Sequence, residues 1–300
     1  MKVKKSKFAL PLLLASLAAA SGAADLDTAS IDSITGLKGK LNPQEGVYKV
    51  SQPRTDIKII VDQWQMPPFM GLTSWAAFQS GMGKNAMVMG DLVLMQDEVN
   101  PVMSALLDNG LEVTALHNHF FYDQPKVYFM HIGGEGTADK LARGVRAAFN
   151  TVKQVRAANP EPAASFPGTP LPAQSSLDAA PLQKILAAQG ETKDGMFKAV
   201  FGRRVKMPCD CIVGKEMGVN TWAAFAGAND NALVDGDFVV LENELQSVLK
   251  SLRKSGINIV AIHHHMVGEQ PRTIFLHYWG RGTASALAEA VKRALENTKK

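Results

Sequence analysis

The sequence predicts an α+β protein made of two homologous domains, each an antiparallel sheet with helices packed on one face. The first observation is an internal duplication, in which short motifs recur 146 or 147 residues apart. The second is that helices with one apolar stripe alternate in each copy with groups of strand-like segments. The third is length, because each copy has about 125 residues, enough to bury a core of its own.

The duplication is visible in motifs that keep their order and spacing. The offset changes from 147 to 146 because the first copy has one more loop residue between Phe78 and Gly90. A unit of this length is a domain and is too long for a solenoid repeat. The matched motifs are Met70-Gly71 with Met217-Gly218, Trp75–Phe78 with Trp222–Phe225, Gly90-Asp91 with Gly236-Asp237, and Gly136–Ala138 with Gly282–Ala284.

The N-terminal segment is predicted to be a secretory signal peptide. Four lysines between positions 2 and 7 precede an apolar stretch from Phe8 to Ala20, and small residues follow. The predicted order is therefore a signal peptide over residues 1–24, a first repeat domain over 25–156, a Pro/Ala-rich linker over 157–176 and a second repeat domain over 177–300. We expect a periplasmic or secreted protein with no membrane span after signal cleavage.

The charge balance gives no indication of a nucleic-acid partner. The 32 basic residues exceed the 28 acidic residues by four, and four lysines leave with the signal peptide. The mature chain is then close to neutral, and it has no long run of lysine or arginine. We expect a small-molecule or cell-envelope ligand that the sequence does not identify, and the oligomeric state also stays open.

The elements of the first copy follow from periodicity and breakers. A helix begins at Leu26-Asp27, and its counterpart begins at Leu177-Asp178. The second copy repeats the order of the first. The predicted elements are strands over Gly46–Ser51, Ile57–Trp64, Leu72–Phe78 and Ala86–Met95, a helix over Glu98–Asn109, strands over Leu111–Phe120 and Lys126–Ile132, and a helix over Ala138–Val155.

All seven histidines lie in two matched windows of fifteen residues, 117–131 and 263–277. His117 and His119 are two positions apart on a predicted strand, so their side chains share a face. If the hairpin folds symmetrically about Gln124, His131 lies directly opposite His117. The second copy has the same symmetry about Gln270. Three imidazoles are thus expected to converge on one patch of sheet in each copy.

Three neutral nitrogen ligands with an open fourth position are typical of a catalytic metal site. The arrangement resembles the three-histidine zinc site of carbonic anhydrases. Zinc is the expected metal, with copper or nickel as alternatives. The other interpretation is that the imidazoles are half-buried groups bonded to backbone carbonyls. The predicted ligands are His117, His119 and His131 in the first copy and His263, His265 and His277 in the second; His264 matches Asn118 and is not expected to be a ligand.

Four retained acids are candidate general bases. Asp123 and Glu269 lie at the hairpin turn beside the histidines, whereas Glu98 and Glu244 lie in the first turn of a helix. Helix capping is the alternative for the last two, because a helix N-terminus favours a carboxylate. Asp91 and Asp237 follow glycines and are interpreted as residues of a strand bend or turn.

Two other residue types leave alternatives open. Trp75 and Trp222 are interpreted as core aromatics, or else as a floor on which a ligand stacks. Cys209 and Cys211 are two positions apart, a spacing that is poorly suited to a disulfide on an extended strand. The first copy has no cysteine. A thiolate pair that binds a soft metal is the alternative for the second copy.

Motifs in both copies resemble the LppY/LpqO family of exported bacterial proteins, which is catalogued as a domain of unknown function. The resemblance is carried by Trp75–Phe78, the Gly-Asp strand, the segment Ala115–Phe120 and the Gln-Pro hairpin. It covers nearly the whole mature chain and implies export and duplication, but it implies no reaction. The named members are lipoproteins, and the acceptor cysteine is absent here.

Two classes of function follow, with a purely structural protein as the third. In the first, a metal-dependent hydrolase or hydratase activates water with an open-coordinated metal. In an asymmetric version Glu135 is the base, and the second copy, which has Arg281 at that position, is inactive. In the second, a non-catalytic protein binds a metal or an envelope ligand and needs no base.

Overall fold

The computed structural model describes residues 26–83 and 85–298. The predicted signal peptide, residues 1–24, lies outside the described residues. Within the described part of the chain, no helix is both long and apolar enough to cross a bilayer. The described residues confirm the α+β class and the duplication, because helices and antiparallel strands follow one another in the same order in both copies.

The first repeat contains three α-helices among its described residues. Asp27 caps the first helix by accepting a hydrogen bond from the backbone N–H of Ser30 at 2.9 Å. The elements are α1 (Thr28–Thr35), β1 (Lys40–Asn42), β2 (Val47–Pro53), β3 (Ile60–Val61), β4 (Trp64–Gln65), β5 (Thr73–Ser80), β6 (Ala86–Met95), α2 (Gln96–Asp108), β7 (Glu112–His117), β8 (Asp123–Gln124), β9 (Val127–Gly136) and α3 (Ala138–Ala158).

The second repeat follows the same order, and Asp178 caps its first helix as Asp27 does. Short 3-10 turns at Pro68–Met70 and Lys215–Met217 precede the matched strands β5 and β14. The elements are α4 (Ala179–Leu186), β10 (Gly190–Lys193), β11 (Met196–Gly202), β12 (Val205–Lys206), β13 (Ile212–Val213), β14 (Asn220–Gly227), β15 (Ala232–Leu241), α5 (Leu245–Lys254), β16 (Asn258–His263), β17 (Thr273–Gly282) and α6 (Ala284–Leu295).

The two repeats share one twelve-stranded sheet. Its order is β1-β2-β5-β6-β9-β7-β16-β17-β15-β14-β11-β10, so each repeat contributes six strands. The halves meet where β7 pairs with β16, with Leu116 opposite Ile262. The main core is also continuous across the repeats. One cluster of buried side chains contains residues of all six α-helices and of strands from both repeats.

Side-chain amides fasten the junction in a symmetric way. The Asn100 amide of α2 accepts from the backbone N–H of Ile259 at 2.8 Å and donates to its carbonyl at 3.1 Å. At the matched position on α5, Gln246 accepts from the N–H of Val113 at 3.1 Å and donates to its carbonyl at 2.9 Å. Each helix thus satisfies backbone groups at the bulged part of the other repeat's strand.

The predicted strand over Ile57–Trp64 is wrong in its length. Only Ile60–Val61 and Trp64–Gln65 are strands, and Asp62 and Gln63 between them have positive φ angles of 46° and 68°. The chain therefore turns back on itself there. The short strands pair with β8 and form a separate three-stranded sheet, β4-β3-β8.

The predicted hairpin register is wrong by two residues. His117 lies opposite Phe129, and His131 lies opposite Ala115, whereas His117 was expected opposite His131. The turn is not symmetric about Gln124 because Asp123 and Gln124 leave the hairpin and pair with β3. A shift of two residues preserves side-chain parity, so the histidines still share one face. The second repeat shows the same register.

The prediction that Cys209 and Cys211 are poorly placed for a disulfide is wrong, because the two residues are bonded to each other. They lie in a turn and not on an extended strand. Asp210 between them has a φ angle of 61°, and its N–H donates to the carbonyl of Met207 at 2.9 Å. The turn brings the two Cα atoms to 5.3 Å, and the soft-metal alternative for these thiols is withdrawn.

The Pro-rich linker is anchored to both repeats. The backbone N–H of Ala163 donates to the Asp97 carboxylate at 3.1 Å. The carbonyl of Pro170 accepts from the Asn231 amide at 2.9 Å, and the carbonyl of Thr169 accepts from Arg281. The linker therefore lies along the junction between the repeats.

Candidate functional site

Each repeat has a row of matched residues that crosses the sheet on the face opposite to the helices. In the second repeat, Trp222 lies opposite Asp237, Asp237 opposite His277, and His277 opposite Ala261. Directly opposed residues of an antiparallel sheet point to the same side. The row therefore places a carboxylate, an imidazole and an indole on one surface of the sheet.

The first repeat contains the same row. Trp75 lies opposite Asp91, and Asp91 lies opposite His131. The interpretation of Asp91 and Asp237 as turn residues is wrong, since both lie within long strands, β6 and β15. The local Gly-Asp pair is typical of a turn, but here it lies within a strand. The pairing of β6 with β9 across an intervening helix is what brings the carboxylate to the histidines, and no local motif indicates that pairing.

The cluster of the second repeat brings imidazoles and a carboxylate within ligand distance of one another. The Nε2 atoms of His263 and His265 are 3.2 Å apart, and the Nε2 atom of His265 is 3.3 Å from Oδ2 of Asp237. Among the described residues, these three side chains form the group whose potential ligand atoms all lie within 4.8 Å of one another. The His277 ring stacks on the His263 ring with centroids 4.8 Å apart.

Neighbouring groups hold the rings of this cluster in place. Phe275 stacks flat against His265, with ring centroids 3.5 Å apart. The backbone of Gly218 acts on the His265 ring and raises its pKa, against desolvation, and Nδ1 of His277 is 3.4 Å from the carbonyl oxygen of Gly236. Backbone partners of this kind fix the tautomer and orientation of metal-binding histidines.

Burial controls the charge of the cluster. Desolvation, followed by the neighbouring His277 and His265, lowers the pKa of His263 to about 4. Desolvation also lowers the pKa of His265. The same cause raises the pKa of Asp237 to about 7, since its carboxylate is buried. Both imidazoles are therefore neutral near pH 7, the protonation state in which imidazole binds a metal.

The cluster of the first repeat has the matched residues, but among the described residues only the second repeat brings two imidazoles and its aspartate within 4.8 Å of one another. The Nε2 atoms of His117 and His119 are 3.2 Å apart, and the rings of His117 and His131 stack with centroids 5.1 Å apart. Phe129 stacks against His119 at 3.4 Å. Desolvation, then His119 and His131, lowers the pKa of His117, and desolvation also lowers the pKa of His119.

Among the described residues, three buried polar atoms of the two clusters have no hydrogen-bond partner. They are Oδ1 of Asp91, Oδ1 of Asp237 and Nδ1 of His263. Buried side-chain polar atoms nearly always have a partner, because desolvating such an atom without compensation costs about 1–3 kcal/mol. Unpartnered carboxylate oxygens beside neutral imidazoles fit a site that takes a cationic ligand.

The six predicted histidine ligands are thus brought together as two groups of three, each made from one repeat. Four of these histidines have a lowered pKa, and the charged neighbours that contribute belong to the same repeat in every case. The four are His117, His119, His263 and His265. His264 does not join its neighbours, because its Nδ1 atom lies 3.3 Å from the carbonyl oxygen of Thr273.

Two of the four predicted catalytic acids are engaged in buried ion pairs. Glu98 is fully buried and accepts from the Arg54 guanidinium at 2.7 and 3.0 Å and from the Met95 N–H at 2.8 Å. Glu244 accepts from Arg203 at 2.6 and 3.1 Å and from the Leu241 N–H at 2.9 Å. These contacts are those of a helix N-terminus, which was the alternative interpretation.

The other two predicted acids stabilise the hairpin turns. Asp123 is buried and accepts from the N–H of Val127 at 2.7 Å and from Lys126 at 3.0 Å. Glu269 accepts from the N–H and hydroxyl of Thr273 at 2.9 and 3.0 Å. Desolvation alone would raise the pKa of Glu269, but the backbone and side-chain hydrogen bonds of its turn and the charge of Arg272 together lower it. Within the described part of the chain, no hydrogen bond joins Asp123 or Glu269 to a cluster histidine, and their catalytic role stays a prediction.

The two matched tryptophans lie on the histidine face, half-buried. The Nζ atom of Lys49 is 4.0 Å from the Trp75 ring centroid, and that of Lys198 is 4.5 Å from the Trp222 centroid. Such distances allow a cation–π interaction. The indoles therefore belong to the surface beside the clusters and not to the core under the helices.

Comparisons with known proteins identify a family without an assigned activity. The family described as Domain of Unknown Function (DUF1259) matches residues 29–151 and 180–297, which correspond to the two repeats. This match does not confirm the LppY/LpqO name. A search of curated proteins found no relative.

Two solved structures are similar to the chain over most of its length. The trimeric bacterial microcompartment shell protein PduB is 10% identical, and the alignment covers 86% of this chain and 89% of that one with a TM-score of 0.21. The double-ringed trimeric shell protein of the RMM microcompartment is 11% identical and covers 82% and 95% with a TM-score of 0.18. TM-scores this low carry no argument about function.

Proposed function

The chain belongs to the family described as Domain of Unknown Function (DUF1259), and we propose that each of its two repeats binds one transition-metal ion at its histidine cluster. The proposed ligands are drawn from the three histidines and the buried aspartate of each repeat. Zinc is the proposed metal because it accepts imidazole and carboxylate ligands in tetrahedral sites. Copper and nickel also bind nitrogen-rich sites, so the metal is to be identified by measurement.

One observation carries the proposal. In the second repeat, two neutral imidazole nitrogens and one carboxylate oxygen lie within 4.8 Å of one another, and the buried carboxylate has an oxygen without a partner. Burying a carboxylate in this way is costly unless a cation accompanies it. A divalent metal would supply the missing charge and would use the lone pairs that face one another.

The proposal includes export to the periplasm or the exterior. It is supported by the basic and apolar N-terminal segment and by the disulfide between Cys209 and Cys211, since structural disulfides persist in oxidising compartments. Cell fractionation with the full-length chain tests it. A mature protein that begins near residue 25 is expected in the periplasmic or secreted fraction, and an uncleaved cytoplasmic protein would contradict export.

The decisive experiment is elemental analysis of untagged mature protein beside histidine variants. We expect two metal ions per chain in the unaltered protein and one in each of His117→Ala and His263→Ala. The double variant is expected to bind none. His264→Ala is the matched control, because it removes a histidine of the same window whose ring points to the Thr273 carbonyl.

Two outcomes would contradict the proposal. One is equal metal content in the unaltered protein and the His117→Ala/His263→Ala double variant. The other is the absence of zinc, copper and nickel binding when metal-free folded protein is titrated at pH 8. Loss of metal from His264→Ala as well would show that the histidines act through folding and not as ligands.

A metal-dependent hydrolase or hydratase is the second candidate. It is favoured by Asp237, whose pKa of about 7 suits a general base and which lies beside Nε2 of His265. Hydrolysis of p-nitrophenyl acetate by metal-loaded protein, compared with Asp237→Asn, tests this candidate. Metal-dependent turnover that disappears in Asp237→Asn at equal metal content supports an enzyme, whereas two filled sites without turnover support a non-catalytic metal-binding protein.

A further inference from the structure

A cleft lies at the junction of the two repeats and adjoins the histidine cluster of the second repeat. Its volume is about 510 Å3, within the range of small-molecule sites. His277 and Trp279 of β17 contribute to one wall, and Tyr128 of β9 to another. Phe166 of the linker lies beside them, so both repeats and the linker build the cleft.

The walls combine aromatic rings with one negative charge. Tyr128, Phe166 and Trp279 supply the aromatic surface, and Asp235 is the charged residue of the lining. No lysine or arginine lines the cleft within the described ranges. The Asp235 side chain also forms no hydrogen bond or ion pair with another described residue. The carboxylate is therefore available to a ligand.

The first repeat lacks this combination. The residue that matches Asp235 is Met89, and the residue that matches Trp279 is Gly133, whereas the histidines and the buried aspartate are present in both repeats. Phe166 belongs to the linker and has no counterpart. The cleft is therefore a property of the second repeat alone and does not follow from the duplication.

We propose that this cleft binds a small organic ammonium ion beside the metal site of the second repeat. Aromatic faces attract a cation through their ring quadrupoles, and quaternary ammonium groups are recognised in aromatic cages. Asp235 adds a charge of the opposite sign. The aromatic and carboxylate groups do not depend on a bound metal, although the position of the ligand beside a metal rests on the proposed function.

Calorimetric titration with choline tests the proposal, and 3,3-dimethylbutan-1-ol serves as a neutral probe of the same shape. We expect choline to bind the purified protein at least about tenfold more tightly than the alcohol. Asp235→Asn and Trp279→Leu are each expected to weaken choline binding by about tenfold or more. Met89→Asn is the matched control at the corresponding position of the first repeat and is expected to leave choline binding unchanged.

The outcomes separate this proposal from the metal proposal when the metal content of every sample is measured. Choline binding to protein that holds no metal would support the ammonium site and would contradict only the metal proposal. Two metal ions per chain without choline binding at about 10 mM would overturn the ammonium site. Equal affinity for the alcohol, or choline binding that both cleft variants leave unchanged, would also overturn it.

Discussion

At the residue scale, the chemistry of each cluster depends on a buried aspartate beside neutral imidazoles. Asp237 is 2% exposed, and its Oδ2 atom lies 3.3 Å from His265. A protonated imidazole would neutralise the carboxylate, but burial lowers the pKa of both His263 and His265 and so opposes this. The aspartate thus lies beside the neutral imidazoles of His263 and His265, and the charge of His277 offsets only part of its desolvation. A metal ion would stabilise this arrangement.

The first prediction concerns this carboxylate. Asp237→Asn is expected to lower the metal affinity of the second repeat by about 10- to 100-fold, because the amide retains the shape but not the charge. Asp91→Asn is expected to do the same in the first repeat. Titration of metal-free protein with zinc measures both, with Asp230→Asn in the exposed turn before β15 as the control. Unchanged affinity in both cluster variants would limit the ligand sets to histidines.

The second prediction concerns pH. Asp237 has a raised pKa of about 7, so it is mostly protonated below that pH, and protons then compete with the metal for its carboxylate. The zinc affinity of the second repeat is therefore expected to fall as pH falls, by roughly 30-fold between pH 8 and pH 5.5 from this group alone. His263, whose pKa is lowered to about 4, stays neutral over that range and contributes nothing to the fall.

Calorimetric titration at several pH values measures this dependence, and Asp237→Asn supplies the comparison. The variant is expected to bind more weakly at pH 8 but to lose less affinity on acidification. An identical pH dependence in the variant would show that another group takes up the proton.

Part of the cluster follows from sequence alone at this scale. Strand alternation places His117 and His119 on one face, and the matched spacing adds His131. The aspartates were missed because their strand meets the histidine strand only after α2 has intervened, so the pairing of Asp91 with His131 is a tertiary property. Local sequence shows a Gly-Asp pair, which is equally compatible with a turn.

At the element scale, buried arginine–glutamate pairs fix where the helices α2 and α5 begin. Glu98 binds Arg54 and the Met95 N–H, and Arg156 of α3 lies 2.9 Å from it. The matched Glu244 binds Arg203, which is more exposed than Arg54. Breaking a buried pair leaves a charge without a partner, which costs about 3–5 kcal/mol.

The third prediction follows from these pairs. Glu98→Ala is expected to destabilise the protein by about 3–5 kcal/mol, and Glu244→Ala by less because water reaches Arg203 more easily. Both variants are expected to retain two metal sites, since Glu98 binds Arg54 and Glu244 binds Arg203 at the starts of their helices. Urea unfolding and metal analysis measure the two effects. A folded Glu98→Ala protein that has lost metal would restore Glu98 as a site residue.

The elements themselves were largely predictable, and the exceptions have local causes. The strand β6 matches its predicted range, Ala86–Met95, and α3 begins at the predicted Ala138. The apolar segment Ile57–Trp64 has the composition of a strand, but positive φ angles at Asp62 and Gln63 divide it. The hairpin register differs from the symmetric prediction because Asp123 and Gln124 pair with β3. That pairing is a tertiary contact, which the spacing of the histidines does not indicate.

At the scale of the whole molecule, the two homologous domains form one sheet and share one core. Their lengths predicted domains that fold independently, but Leu116 and Ile262 join the halves at the centre of a twelve-stranded sheet. The duplication could be read from the sequence because the motifs recur. The sequence does not show which strands join the two repeats. The strands β7 and β16 meet through one register pair and through amides that contact the other repeat, and these are tertiary contacts.

The last prediction tests this union. Asn100 and Gln246 each satisfy a backbone N–H and a carbonyl of the other repeat, so replacing both with alanine leaves four backbone groups to be solvated or buried without partners. Each such group costs about 1–3 kcal/mol when it stays buried. The unaltered protein is expected to unfold in one transition whose calorimetric and van't Hoff enthalpies agree. The Asn100→Ala/Gln246→Ala variant is expected to melt at a lower temperature. Its ratio of calorimetric to van't Hoff enthalpy is expected to exceed one, because weaker coupling lets the repeats unfold separately.

Gln154→Ala, which removes an exposed amide from α3, is the control and is expected to melt like the unaltered protein. Two separate transitions in the unaltered protein would contradict the shared core as a cooperative unit. Since each cluster is built from strands of its own repeat, the double variant is also expected to retain two metal ions below its melting temperature. Retained metal together with split unfolding would show that the junction couples the stability of the repeats while each repeat builds its own site.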